Sequence, residues 1–554
     1  MECSNFIIKL CCLLFLLRPI SCATSNSNNV TQRSAQNPLN SSGIAQAFSQ
    51  CLSTKLSSST NISGTIYTPD NSSFKSLLVS TAQNLRYLVD SMPKPEFIFT
   101  PLDESQAQAA VICCQQVNVS FRMRSGGHDY EGMSYVSQLG APFSIIDLQK
   151  LRNVIVNIKE NYVWAESGAT NGEVYYKISQ QSNVHGFPMG LCTSLGMGGH
   201  ICGGAYGSIM RKYGLGVDKV LDIRMVDANG AILDREAMGD ELFWAVAGGG
   251  GSFGLILAWK LSLVPVPPTV TVFTVVKTLE QGGTRLLSKW TQIADKLDND
   301  LFIRVIINPM NTPNGTKTIS LAFNSQFLGT TDKLLQIMGQ NFSELGLQRG
   351  DCSEMRWIES VLYIAGYPST TKPEVLLLGQ PLFKNFFKAK SDFIPRAIPE
   401  SGIQGMWNLL FQEPGSLMIW NPLGGQVAEV SPYSTPFFWR DSMGFIQYLT
   451  TWANGNESTA NHIEWIRKLY DYMTPYVSMF PRAAYVNYKD LDLGSMIGGP
   501  YANWYWFNMY EWGYHYFGRC NFERLIYTKS KIDPKNVFKT EQSIPTFLSE
   551  LREN

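Results

Sequence analysis

The sequence lacks an excess of either charge: Lys and Arg total 45, and so do Asp and Glu, over 554 residues. A chain that grips nucleic acid usually carries a basic surplus, so no nucleic-acid partner is expected. No apolar run beyond the N-terminus approaches the ~20 residues of a membrane span, and none is expected. Cysteine is scarce. Four of the 11 (Cys3, Cys11, Cys12 and Cys22) crowd the N-terminus, leaving Cys51, Cys113, Cys114, Cys192, Cys202, Cys352 and Cys520. Seven is too few for a disulfide scaffold at this length, and an odd number asks another job of at least one thiol. There is no internal repeat, and no metal site is expected.

The length exceeds what one hydrophobic core supports, so two or more lobes are expected. Aromatic content is 12%, with 13 Trp and 24 Tyr. That favours a cavity for an aromatic or sugar-like small molecule, although large cores explain it equally. Lys9, the apolar run Leu10 to Leu17 and the small residues Ser21 to Ala23 read as a signal peptide over 1–23. Eight N-x-S/T sequons agree with secretion and N-glycans: Asn29, Asn40, Asn61, Asn71, Asn118, Asn314, Asn341 and Asn456. The expected destination is the secretory pathway, ending outside the cell, in the cell wall or in a vacuole. Residues 23–43 are polar, and disorder is expected there.

A first unit begins near Pro93. Glu96–Thr100 reads as a strand and Glu104–Gln116 as a helix. Val119, Phe121 and Met123 alternate with Ser120, Arg122 and Arg124, the pattern of a half-buried strand. Phe143–Leu148 and Tyr162–Glu166 are further strands, and Gly172–Gln181 is helical. Asn229-Gly230 breaks Ile223–Leu233 into a hairpin. Val264-Pro265-Val266-Pro267-Pro268 reads as a rigid connector at a lobe boundary. Beyond it, strands such as Thr269–Lys277 alternate with amphipathic helices such as Thr331–Phe342, an α+β pattern.

Gly249 to Gly254 matches G-x-G-x-x-G in form. The dinucleotide fingerprint needs a strand before it and a helix after it, but a strand-like run, Leu255–Leu263, follows here. A tight glycine bend is expected instead. Two other clusters carry more chemistry. One runs Arg124-Ser125-Gly126-Gly127-His128-Asp129-Tyr130-Glu131-Gly132. The other runs from Gly190 through Cys192, Leu195, Gly196, Gly198, Gly199, His200 and Gly203 to Gly207. Without a Cβ, backbone N–H groups can approach a pyrophosphate closely. Either cluster alone fits turn chemistry as well; the pair, each carrying a His or Cys, points to a bound nucleotide.

At these residues the sequence resembles the berberine bridge enzyme-like family of plant FAD enzymes, which have the two-lobed FAD-binding fold of the vanillyl-alcohol oxidase superfamily (PCMH type). The resemblance runs from about Gly43 to the C-terminus. It includes Asn421 to Gly425, Tyr485 to Gly494 (the family's active-site strand), Asp533 to Phe538 and Glu541 to Pro545. It implies FAD bound twice covalently, through His128 to the 8α-methyl and through Cys192 to the 6-position. Arg124, Ser125, Gly126, Gly127, Asp129, Leu195, Gly196, Gly198, Gly199, His200, Gly203 and Asn536 would complete the cofactor site. It also implies a Cys51–Cys113 disulfide, an FAD-binding domain over 44–266 with its core at 91–266, and a substrate domain over 267–494 of antiparallel sheet backed by helices. Residues 495–554 would return to the FAD domain.

By the same resemblance, substrate gives a hydride to the flavin while Tyr488 takes a proton, helped by Tyr130, Tyr206 and Gln447. A free tyrosine has a pKa of ~10, so that of Tyr488 is expected to be depressed. Phe445 stands where many relatives carry a charge that tunes this tyrosine. Trp439 replaces a usual His and is expected to make the pocket more apolar. Leu195 occupies the position that controls oxygen access, so slow reaction with O2 and use of another electron acceptor are expected. The reading is oxidation of a phenolic or allylic alcohol, or another plant specialised metabolite. Oligosaccharide oxidation, a redox-neutral cyclase and a redox-silent binding protein are the alternatives.

Overall fold

The computed structural model describes residues 41–381, 384–453, 458–496 and 505–547, the last without side chains for 505–510. The expected signal peptide and the sequons at Asn29, Asn40 and Asn456 lie outside these residues. The five described sequon asparagines, Asn61, Asn71, Asn118, Asn314 and Asn341, are all exposed. No described helix is long and apolar enough to cross a membrane.

Among the described residues, three sheets of four, five and seven strands carry the fold, with a small two-stranded pair beside them. The first is ordered Ile66–Tyr67, Ile98–Phe99, Phe143–Asp147, Ser120–Arg124, and its last three strands are parallel. Helix Glu104–Gln116 links two of them. Asp103 caps it by accepting from the Gln106 N–H, and Ala107, Ala110, Val111 and Cys114 form its buried side. The Cys51–Cys113 disulfide ties it to helix Ser41–Lys55.

Strand Ser120–Arg124 departs from the expected half-buried pattern. Arg122 and Arg124 are buried alongside Phe121, with Arg124 fully enclosed. Parallel strands are commonly covered on both faces, and here each cation has an anion within the cover. Arg122 pairs with Glu541 at 2.7 Å. Arg124 pairs with Asp147 and donates to the carbonyls of Leu77 and Leu78.

The second sheet is antiparallel, ordered Val154–Asn157, Tyr162–Glu166, Leu255–Ser262, Val220–Val226, Ile232–Leu233. The Asn229-Gly230 hairpin forms as expected, with Gly230 at φ +81. The Gly249–Gly254 bend follows helix Arg235–Val246 and leads into a strand, so it is no dinucleotide fingerprint. The start of the expected rigid connector is held in place: Val264–Pro265 pairs with His185–Gly186.

The third sheet has seven antiparallel strands: Cys352–Met355, Val270–Thr278, Lys317–Phe327, Leu301–Asn311, Ser416–Pro422, Gly444–Trp452 and Phe386–Ile394. Helices Gly283–Ile293, Glu400–Leu410 and Thr459–Met473 bury Trp290, Trp407 and Trp465 against one face, in a core with Ile303, Val305, Ile446 and Tyr448. Alternation sends Phe302, Phe393 and Phe445 to the other face, into the core shared with the second sheet. Arg304 and Gln447 share that face by the same period. Residues 485–494 are not a strand. They form a turn, in which the Tyr488 N–H donates to the Tyr485 carbonyl, followed by the short 3-10 helix Leu491–Leu493. Helix Tyr505–Ile532 bends at Gly518, and the chain then returns to the first two sheets. Lys529 donates to the Ser252 carbonyl at 2.6 Å, and Phe538 packs edge-on against Phe121.

Candidate active site

Backbone brings the two glycine clusters together. A Cβ on Gly126 would lie 2.3 Å from the Gly196 nitrogen, and one on Gly196 would lie 2.2 Å from the Gly126 nitrogen. Only a glycine pair permits that approach. Ser125 reinforces it, with its hydroxyl bonded to the Ser167 carbonyl and accepting from the Gly198 N–H at 3.3 Å. Gly127 turns the chain at φ +66, which brings His128 to the same seam. The Ser194 hydroxyl lies 3.0 Å from His128 Nε2 and 3.5 Å from the Cys192 sulfur, so one side chain spans both proposed attachment points. Burial pulls the His128 pKa down to about 4 and keeps the ring neutral, as a nucleophilic imidazole must be. Burial pushes the Cys192 thiol up.

The remaining cofactor candidates divide by what they touch. Asp129 caps its own loop, accepting from the N–H groups of Glu131 and Met133. The Arg124 guanidinium is occupied by Asp147 and two carbonyls, so it holds the loop from behind. His200 Nε2 accepts from the Gly190 N–H at 2.8 Å, which fixes its proton on Nδ1, and burial lowers its pKa to about 3. Gly203 leaves room for the Asn487 amide, which donates to the His200 carbonyl at 2.9 Å. Leu195 is half-buried beside Gly190. Asn536 stands apart on the closing turn at φ +51, and its buried amide oxygen accepts no hydrogen bond.

The second wall is aromatic. Tyr130 and Tyr488 stack with centroids 5.1 Å apart and planes 7° from parallel. The Tyr206 and Tyr488 hydroxyls are hydrogen-bonded. The Gln447 amide donates to the Tyr130 hydroxyl at 2.7 Å. Tyr485 meets Tyr488 edge-on at 5.0 Å, and Phe445 meets Tyr206 at 4.8 Å. Cys192 lies within electrostatic range of Tyr130 and Tyr206, so this wall faces the first. Trp439 is one layer out, packed on Phe393 and Phe438 and donating to the His515 carbonyl at 2.9 Å. The four expected catalytic side chains therefore meet at one place.

One expectation fails in sign. The Tyr488 hydroxyl is not acidified: burial, then Tyr206 and Tyr130, push its pKa well above the usual tyrosine value. A charge near Tyr488, absent at Phe445, is supplied by Arg304, whose sequence context carries no signal. Arg304 sits opposite Asn324 across two strands and donates to its amide oxygen at 2.9 Å and to the Ile364 carbonyl at 2.6 Å. Burial lowers its pKa, while Tyr206 and Tyr488 raise it. Both of its protein partners are neutral, so the nearby phenol pair is where a balancing negative charge can form.

The residues present fit FAD. The glycine seam brings two stretches of backbone together, a Cβ on Gly199 would meet nothing within 4 Å, and the Ser167 hydroxyl and Asn171 amide oxygen beside the seam are buried without a partner. A nucleophilic imidazole and a thiol share its edge. Fold and site together define an FAD-linked oxidoreductase, and comparison with known proteins makes the assignment specific. The FAD binding domain family matches residues 95–235, and the berberine and berberine-like family matches 484–545. The chain is 55% identical to monolignol oxidoreductase AtBBE-like 13 of Arabidopsis thaliana over 517 residues, 92% of this chain and 95% of that one. The structure of berberine bridge enzyme from Eschscholzia californica superposes with a TM-score of 0.84 at 36% identity, covering 90% and 99% of the two chains. Phl p 4, a grass pollen allergen with glucose dehydrogenase activity, superposes with a TM-score of 0.84 at 37% identity, covering 90% and 100%. The chain belongs to the berberine bridge enzyme-like family.

Proposed function

We propose that this oxidoreductase oxidises a phenolic or allylic alcohol of monolignol type, with FAD joined to His128 and Cys192. The observation that carries the reading is the meeting of Tyr130, Tyr206, Tyr488, Gln447 and Arg304 opposite the His128–Ser194–Cys192 edge. When bound, FAD supplies a two-electron acceptor for hydride. The protein positions substrate and moves the proton. Tyr130 and Gln447 form a hydrogen-bonding pair that orients an oxygen function. Phe445, Tyr485 and Tyr206 form an apolar wall suited to an aromatic ring. Tyr488 receives the proton as the phenolate of the hydrogen-bonded Tyr206–Tyr488 pair, with Arg304 as its counter-charge. The raised pKa makes that phenolate scarce at neutral pH and strongly basic when formed.

The assigned division is a flavin lobe of 44–266 plus the segment after residue 494, and a substrate lobe of 267–494. The closing contacts of Glu541 and Lys529 support it. Leu195 beside the seam supports slow reaction with O2 and transfer to another acceptor. Exposure of all five described sequon asparagines supports N-glycosylation and passage through the secretory pathway.

Glucose dehydrogenase activity in a structural neighbour keeps sugar oxidation as the second reading. Anaerobic addition of allylic phenols and of glucose oligomers to the purified holoenzyme separates the two. Bleaching of the flavin absorbance by the phenols is expected. Bleaching by sugars alone overturns the first reading, and bleaching by neither favours the redox-neutral cyclase.

A further inference from the structure

Lysines on an edge strand ordinarily reach solvent and keep the edge from pairing. Lys388 and Lys390 lie on the edge strand Phe386–Ile394, yet both side chains are only 3% exposed. The flavin lobe covers this edge. Asn84 is fully buried there and donates to the carbonyls of Tyr130 and Phe387. Beneath it lies an ionic lattice assembled from five separate parts of the chain. Lys388 bridges Glu131 and Asp490, and Lys390 bridges Asp490 and Asp492. Arg86 and the Tyr87 hydroxyl close on Glu131. At the outer end Arg467 closes on Asp492. The Leu491 N–H also donates to Glu131, at 3.3 Å.

Placement gives the lattice a role. Glu131 follows Tyr130 directly, and Asp490 stands two residues after Tyr488. A single ammonium therefore ties the backbones behind both members of the stacked tyrosine pair. Phe387, beside Lys388, packs edge-on against Tyr130 at 5.2 Å. Two residues beyond Ala389 on this strand, Ser391 is paired with Gln447 and accepts from the Tyr485 N–H at 2.9 Å. Residues 485–494 have no ladder to hold them, so ion pairs do the work that sheet hydrogen bonds do elsewhere. A buried ion pair adds little net stability compared with an apolar packing of the same volume, and fixing register is its best-attested use.

We propose that Lys388 is a positioning residue: by bridging Glu131 and Asp490 it sets the stacking of Tyr130 on Tyr488, and with it the reach of their hydroxyls to substrate. This rests on the reading of those tyrosines as substrate-facing groups. The sensitivity of catalysis to small displacements makes the effect measurable.

The test is anaerobic stopped-flow reduction of the holoenzyme by an allylic phenol over a range of concentrations. Two variants are compared with wild type: Lys388→Arg, which keeps the charge and changes its geometry, and Lys388→Met with Glu131→Gln, which removes one charge of each sign. The limiting reduction rate is expected to fall about 10-fold or more in both, while the apparent dissociation constant stays within about threefold. A limiting rate within about twofold of wild type in both variants overturns the proposal. So does failure of both variants to hold flavin, which would assign the lattice to folding alone. Tyr488→Phe run beside them separates the two ideas: if it too leaves the rate unchanged, the reading of the tyrosines fails first.

Discussion

The two walls of the site are built on opposite plans. The His128–Cys192 wall is made of backbone: two glycine clusters touch where no side chain fits, and each chemical group lies within a few residues of a glycine. The tyrosine wall is made of side chains from elements far apart in sequence, held by stacking, edge-on contacts and buried ion pairs. The first plan fixes geometry through covalent structure and tolerates no added atom. The second distributes geometry over many weak contacts, so single changes should affect rate before they affect folding.

The sharpest break between the walls lies in their response to one methyl group. Gly126→Ala and Gly196→Ala place a Cβ within backbone contact distance, and each is expected to cost about 3 kcal/mol or more of stability. Gly199→Ala, with open space at the new atom, should stay within about 1 kcal/mol. Urea unfolding of the three variants checks this, and equal losses would dissolve the contrast. On the other wall, Tyr488→Phe should leave the flavin spectrum and unfolding midpoint nearly intact and slow flavin reduction by ~100-fold or more.

A smaller effect is expected at Arg304. Arg304→Met removes the counter-charge of the phenol pair, so reduction at pH 7 should slow by about 10-fold and its pH profile move alkaline by about one unit. The sign follows from the raised Tyr488 pKa. The acceptor form is the phenolate, so the wild-type rate should climb with pH from neutrality into the alkaline range. A flat profile between pH 6 and 9 would mean that Tyr488 is not the proton acceptor. The smallest expected change is Leu195→Val, which opens a methylene-sized space beside the glycine seam. It should speed reoxidation by air-saturated buffer and leave reduction by substrate alone. Stopped-flow reoxidation of the two enzymes side by side decides whether Leu195 restricts oxygen.

The same contrast explains what could be read from the sequence. The glycine wall was legible because its logic is local: Ser125 to His128 and Gly190 to Gly203 each announce a close backbone approach within one short stretch. The tyrosine wall was legible only through resemblance, and incompletely. Arg304 lies in an ordinary strand and matters because of the register that puts it beside Asn324 and near Tyr488. Nothing local marks Lys388 and Lys390, whose partners Glu131, Asp490 and Asp492 stand far away in sequence. Arg122 looked exposed by alternation, since its partner Glu541 stands 419 positions away. The expected depression of the Tyr488 pKa also failed, chiefly because the hydroxyl is buried, which no motif reports; the Tyr206 and Tyr130 hydroxyls beside it add to the rise. Periodicity reports which face an element buries. It does not report which distant charge will be waiting there.

The claim on which both walls depend is that FAD is joined to this chain at His128 and at Cys192. The direct measurement is acid precipitation of the purified holoenzyme, protease digestion, and mass spectrometry of the yellow fraction. One flavin-bearing species containing both the His128 and the Cys192 peptides is expected, reduced to a single attachment in His128→Ala and in Cys192→Ala. Release of all FAD into the acid supernatant of the wild-type protein would contradict it.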